Sequence, residues 1–160
     1  MQKRTLYTLE QLGQVASAVY EDITPGSILI LNGLLGAGKT TFIQKLCQIY
    51  GVCVPVVSPT YSYVSMYEVA GLTIYHFDLY RISGIEEFEA LGFYEYLNDT
   101  NSLICIEWPE RIASLLEREM YCKRLISLTF LYVMSDEKVR ELRWVLRPLV
   151  ISANDILLEE

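Results

Sequence analysis

Gly33, Gly36, Gly38, Lys39 and Thr40 are the residues whose types and spacing point most directly to chemistry. In Gly33-Leu34-Leu35-Gly36-Ala37-Gly38-Lys39-Thr40 a glycine, four residues, a glycine and a lysine precede a threonine, which is the phosphate-loop pattern. Glycine turns through positive φ and, lacking a side chain, lets backbone N–H groups close around phosphate oxygens. Lys39 brings a compact positive charge to the outer phosphates. The Thr40 hydroxyl is a hard oxygen ligand suited to magnesium. With glycine at about 7% of residues, chance supplies the pattern roughly once in a few hundred chains of this size.

A phosphate loop needs a carboxylate across from its threonine to hold or orient magnesium and its waters. Leu103-Ile104-Cys105-Ile106 is an apolar strand pattern that ends in Glu107, and ligands gather at the C-terminal edge of such sheets. Asp78 ends the run His76-Phe77-Asp78 and is the rival acid, and the pattern leaves open which acid meets the metal and which the attacking water. His76, alternating with apolar neighbours, reads as a structural histidine with its hydrogen bonds satisfied. Arg81 has two readings, a phosphate contact or a pair with Asp78 or another acid. Ser58-Pro59-Thr60-Tyr61 reads as a switch-like loop facing the γ-phosphate or as an ordinary turn whose hydroxyls satisfy their own backbone. Trp108 reads as a core aromatic beside Pro109.

These residues require elements to position them. Ser27–Asn32 predicts the strand that feeds the loop. Phe42, Ile43, Leu46, Cys47 and Tyr50 share one helical face, and Gly51 closes that helix as a C′ glycine. Upstream, Thr8 and Gln11 form a capping-box pattern that opens a helix to about Glu21. Downstream, Val52–Val57 reads as a strand, and Tyr61–Val69 with Leu72–Phe77 as a hairpin around Ala70-Gly71. Ser83 and Glu86 cap a short helix that ends at Gly92. Pro109 suits the first turn of a helix to about Glu119. Lys123–Val133 and Lys138–Leu146 read as two strands joined through Ser135-Asp136-Glu137, and Leu157-Leu158 as a last docked turn. The fold class expected is α/β: a P-loop NTPase-like mixed sheet with flanking helices and antiparallel additions, in one domain over 1–160.

Composition narrows the functions. A chain of 160 residues that is 52% apolar builds one real core, and a net charge of −7 opposes unaided binding to nucleic acid. Cys47, Cys53, Cys105 and Cys122 lack metal-ligand spacing, and Cys47 and Cys105 fall in apolar patterns as buried thiols. No signal-peptide pattern opens the chain and no apolar run approaches membrane-spanning length, so the expected location is cytoplasmic.

Four motifs, in order and spacing, resemble the TsaE (YjeE) family of bacterial P-loop ATPases. They are the phosphate loop through Thr41, Ser58-Pro59-Thr60-Tyr61, His76-Phe77-Asp78-Leu79-Tyr80-Arg81 and Ile106-Glu107-Trp108-Pro109-Glu110. The loop is generic, whereas the other three together are specific, and the resemblance runs to about Val145. It implies an ATPase in the synthesis of threonylcarbamoyladenosine in tRNA that binds TsaD and TsaB and resets that complex between turnovers, meeting tRNA only through it. It implies ATP and magnesium as cofactors, with Thr40 and Glu107 on the metal, Lys39 on phosphates and Asp78 needed for hydrolysis. Gly33, Gly36, Ala37, Gly38, Lys39, Thr40 and Thr41 would cradle the nucleotide, Arg140 would reach it, and Leu6 would lie near the nucleoside. Two positions depart from the family pattern. Leu34 replaces an aspartate, which bears on hydrolysis more than on a cradle made of backbone. Val139 replaces the glycine before Arg140, which bears on the register of that turn. A nucleoside or small-molecule kinase and a nucleotide-gated binding module with little hydrolysis are the competing classes. GTP is disfavoured because no Asn-Lys-x-Asp stretch exists.

Overall fold

The strands are Gln2–Thr8 (β1), Ile28–Asn32 (β2), Val64–Val69 (β3), Leu72–Asp78 (β4), Ser102–Glu107 (β5), Leu125–Tyr132 (β6) and Val139–Arg147 (β7). The helices are Leu12–Tyr20 (α1), Lys39–Ile49 (α2), Ile85–Ala90 (α3), Tyr94–Leu97 (α4) and Ala113–Glu119 (α5). They come from a computed structural model that describes residues 2–119, 124–136 and 138–147. The seven strands form one sheet in the order β1-β7-β6-β2-β5-β4-β3. β2 is central and buried at every position, as a continuous apolar strand should be. It runs parallel to β5 and β6, and β5 runs parallel to β4. Antiparallel partners extend both edges: β3 on β4, and β7 and β1 beyond β6. This is the mixed α/β sheet the sequence predicts.

Alternation along each strand divides the core. Leu29, Leu31, Leu103 and Cys105 face α1 and α2, whereas Ile28, Ile30, Ile104 and Ile106 face α3 and α5. Because side chains alternate with period two, Glu107 shares the α2 face with Cys105. Asp78 lies opposite Glu107 in the parallel register, and His76 lies opposite Cys105. Strand pairing therefore delivers both acids and the histidine to the side of the sheet where the phosphate loop ends.

One strand goes unpredicted by the sequence, and three local expectations are corrected. Gln2–Thr8 is an edge strand, Tyr7 being its one fully buried side chain, and its lysine and arginine suit an open edge. After it, Thr8 leads into a short 3₁₀ turn, Leu9–Gln11, before α1 begins, although its N–H does donate to Gln11 Oε1 at 3.0 Å, as the expected cap requires. Val52–Val57 forms no strand: Pro55 supplies no N–H to a ladder, Val54 and Val57 are exposed, and the Val56 carbonyl accepts from the Gln44 side chain instead. The cap on α3 is displaced by one residue, because the Ser83 N–H and hydroxyl both donate to Glu87 rather than Glu86. Cys122, Glu137 and the expected turn at Leu157-Leu158 lie outside the described residues. Cys47 and Cys105 are free and buried, and burial pushes the Cys47 thiol up to about 12. Among the described residues no helix is long and apolar enough to cross a membrane.

Candidate functional site

The phosphate loop leaves the C-terminal end of β2 and enters α2 at Lys39. Its shape depends on glycine. Gly33 has φ 143°, and a Cβ there would stand 2.8 Å from the Phe130 carbonyl oxygen, closer than real contacts allow. Gly38 has φ 106° and caps α2, with its carbonyl accepting from the Phe42 N–H at 2.8 Å. The Ala37 N–H donates to the Leu34 carbonyl and its side chain is buried, so the loop is braced from inside. Gly36 and Thr41 lie on the exposed side.

The loop opens into a cleft of about 390 Å³ lined by Lys39, Thr40, Ser58, Thr60, Asp78, Glu107 and their neighbours. Thr40 Oγ1 donates to Glu107 Oε1 at 2.7 Å. His76 Nε2 stands 2.9 Å from the same oxygen, and His76 is wholly buried. Asp78 is engaged differently. Its Oδ2 accepts from the Ser58 and Thr60 hydroxyls, the latter at 2.8 Å, and its Oδ1 accepts from the Tyr80 N–H at 3.2 Å. Thus Glu107 is the acid on the loop threonine, and Asp78 is the acid on the Ser58–Tyr61 loop.

Lys39 is folded onto its own loop, donating to the carbonyls of Gly33 and Leu34 at 2.6 and 3.0 Å. Burial pulls its pKa below the ordinary lysine value, while Glu107, Glu110 and Asp78 oppose that shift. Trp108 covers it. This residue adopts a left-handed backbone, φ 60° and ψ 51°, a conformation that costs a non-glycine residue roughly 1–2 kcal/mol. Its ring also packs on Tyr80, at 5.0 Å between centroids. The expected core aromatic is thus also a wall of the cleft: Trp108 packs against the core beneath α3 and α5, and its partly exposed side lines the cleft.

Other candidates fall farther out. The Arg81 guanidinium lies over the Tyr61 ring at 4.6 Å, neither on Asp78 nor in the cleft. Arg140 stacks on Tyr132 at 4.5 Å. The Tyr132 hydroxyl reaches to 3.4 Å from where a Gly36 Cβ would stand, so Arg140 neighbours the loop through that ring. Leu6 is exposed and lines a separate cleft with Thr5, Gln11 and Trp144, apart from the phosphate loop. Two contacts escaped the sequence reading: His76 on Glu107, and the Ser58–Thr60 hydroxyls on Asp78. The first had a signal, since period-two alternation places His76 on the same face as Asp78.

The residues fit the groups that the motif implies. A hydroxyl and a carboxylate 2.7 Å apart at the helix entrance form the hard-oxygen set that magnesium takes, and positive-φ glycines hold open a backbone cradle beside them. Central parallel strand, phosphate loop, helix and an acid at the end of the adjacent strand define a P-loop NTPase-like protein. Within that class the assignment is specific. The family model described as "Threonylcarbamoyl adenosine biosynthesis protein TsaE" matches residues 6–138, and the chain belongs to the TsaE family. A Borreliella burgdorferi relative named tRNA threonylcarbamoyladenosine biosynthesis protein TsaE is 42% identical over 114 residues, 71% of this chain and 80% of its own length. A Rickettsia conorii relative of the same name is 41% identical over 70% of this chain, which spans 63% of that protein. The crystal structure of Bacillus subtilis YdiB shares the fold, with a TM-score of 0.65 and 24% identity, covering 90% of this chain and 86% of that one.

Proposed function

We propose that this chain is an ATPase of threonylcarbamoyladenosine synthesis that binds TsaD–TsaB and resets that complex between turnovers. The observation that carries the nucleotide half of this reading is the 2.7 Å hydrogen bond from Thr40 to Glu107 at the mouth of the phosphate loop. Thr40 and Glu107 are the residues to hold magnesium, which when bound would neutralise charge on the phosphates. Lys39, released from the Gly33 and Leu34 carbonyls, is the side chain for the outer phosphates. The backbone of Gly33 and Gly36–Thr41 is the cradle. Asp78 would orient the attacking water once its loop hydroxyls yield. Family membership supports the pathway half, and the net charge of −7 favours reaching tRNA through the complex rather than directly.

One observation favours a nucleotide-gated module with slow hydrolysis as the second reading. Leu34 replaces the family aspartate and is exposed, so the loop rim offers an apolar side chain where an acid usually stands. A kinase, which would need arginines to close over its acceptor, gains no support from Arg143, which is held by Glu141 at 2.7 Å. The deciding experiment is phosphate release from ATP with the chain alone, with TsaD–TsaB, and with a panel of nucleosides. Release stimulated by TsaD–TsaB supports the ATPase reading. Binding of the complex without release supports the gated module, and consumption dependent on a nucleoside supports the kinase.

A further inference from the structure

We infer that His76 is a positioning residue for Glu107, fixing the orientation of that carboxylate from inside the sheet so that it meets Thr40. The inference rests on the nucleotide–metal reading above and adds a residue to it. His76 has no exposed surface, and its Nε2 stands 2.9 Å from Glu107 Oε1, the same oxygen that accepts from Thr40 at 2.7 Å. An ionised carboxylate only accepts hydrogen bonds, so both neighbours must donate, and the His76 proton sits on Nε2. The other ring nitrogen, Nδ1, is buried with no hydrogen-bond partner among the described residues. An apolar side chain would fill the same space between Ile74 and Asp78 without leaving that atom unmet, so packing alone does not account for a histidine here. What the imidazole supplies is one directed N–H.

The register explains why it comes from this position. His76 lies opposite Cys105 on the parallel partner, so its diagonal neighbour along β5 is Glu107. Its strand therefore presents two polar groups in succession on one face: His76 to Glu107, then Asp78 to the Ser58–Thr60 hydroxyls. Glu107, at a strand end next to the left-handed Trp108, is thereby held from both sides, by the loop threonine and by the core histidine. Hydrogen bonds behind a metal-binding carboxylate are typically worth about 10–100-fold in metal affinity.

The test uses the full chain and two variants. Glutamine can place its side-chain N–H₂ near the Nε2 position, whereas leucine cannot donate. In His76→Leu the affinity for Mn²⁺ in the nucleotide complex, read by electron paramagnetic resonance, should fall about 10–100-fold. Metal-free nucleotide affinity, read by calorimetry, should stay within about twofold, and His76→Gln should recover most of the metal affinity. Equal losses with and without metal, or a glutamine variant as impaired as leucine, would overturn the assignment. A second readout needs neither metal nor nucleotide. The chain has a single histidine, so ¹⁵N-labelled histidine gives one unambiguous imidazole spectrum. It should show the Nε2–H tautomer, with that resonance displaced in Glu107→Gln. An Nδ1–H tautomer, or a signal indifferent to Glu107, would overturn the proposal even if the chain binds nucleotide. Conversely, an intact His76–Glu107 signal in a chain that binds no nucleotide would sink the functional reading and leave this contact standing.

Discussion

Lys39 Nζ stands 4.1 Å from the centre of the Trp108 ring while it donates to the Gly33 and Leu34 carbonyls. The ammonium is held between its own loop and an aromatic face. A cation over such a ring gains about 0.5–1 kcal/mol where exposed and about 2 where desolvated. Phosphate oxygens carry the opposite charge, so they offer the ammonium a Coulomb attraction that neutral carbonyls and the ring do not, and they outcompete both. Nucleotide should therefore draw Lys39 away from Trp108.

Lys39→Met keeps most of the length of the side chain and removes its charge. Loss of one preorganised contact of this kind costs about 3 kcal/mol, so affinity for magnesium–ATP should fall on the order of a hundredfold while the circular dichroism spectrum stays native. In the wild type, tryptophan emission should change on nucleotide binding, and Trp108→Phe, which leaves only Trp144, should abolish that change. An unchanged dissociation constant in Lys39→Met would remove this lysine from the phosphate site.

Glu107 should act through the metal. Glu107→Gln keeps the shape of the side chain but weakens it as a hard anionic ligand. Magnesium-dependent turnover and magnesium-dependent ATP affinity should drop by tenfold or more, with metal-free binding little changed. Titrations with magnesium and with a chelator separate the two, and equal losses would make Glu107 a structural residue.

Much of this arrangement was legible because it is local. The glycine spacing, the apolar run into β2 and the helical face of α2 lie within about one supersecondary unit. Glu107 followed from four apolar residues ending in an acid. What stayed hidden depends on distant pairing or on backbone that side chains do not announce. β1 is polar and gains its place only by pairing with β7, as Tyr7 does opposite Arg140. Val52–Val57 carries strand-forming valines, yet Pro55 offers no N–H to a ladder and the Gln44 side chain takes the Val56 carbonyl. The left-handed turn at Trp108, which sets the ring over Lys39, has no signature in residue type.

Tyr7 gives a pH dependence that is independent of nucleotide. Its hydroxyl is buried without a hydrogen-bond partner among the described residues, and burial raises its pKa to about 12, with Arg140 opposing. The folded state therefore holds the phenol proton more tightly than the unfolded chain does, where tyrosine titrates near 10. The sign follows: this contribution to stability is complete below pH ~10 and is lost as pH rises from ~10 toward ~12. Tyr7→Phe removes an unpaired polar group and should be neutral or slightly stabilising at pH 7. Relative to the wild type, the variant should gain stability as pH climbs through that window. Urea unfolding of both proteins between pH 8 and pH 11 measures the difference, and parallel curves would mean that Tyr7 is solvated in the folded state.

The Ser58–Thr60 hydroxyls are the route we propose from nucleotide to partner. Both donate to Asp78, which lies opposite Glu107 in the sheet, so the loop is fastened to the acid next to the Thr40–Glu107 pair. Pro59 stiffens the segment between them, and Tyr61 beyond it is exposed under Arg81. If Asp78 turns toward the attacking water, it must release these hydroxyls, and the loop with its exposed tyrosine is then free to move. The loop should therefore report the state of the phosphates to whatever protein rests on it. The ATP state should bind TsaD–TsaB more tightly than the ADP state, and by linkage the partner should tighten ATP by the same factor, about 5–150-fold for an ordinary coupling of about 1–3 kcal/mol. Thr60→Val preserves shape, removes one of the two fastening hydroxyls and leaves the cradle intact. It should shrink the coupling factor several-fold while changing ATP affinity of the isolated chain by less than about threefold. Calorimetry of wild type and variant against the partner complex, with ADP and with a non-hydrolysable ATP analogue, measures every leg of that cycle. Equal partner affinity in both nucleotide states of the wild type would show that the hydroxyls only fasten a loop and carry no signal.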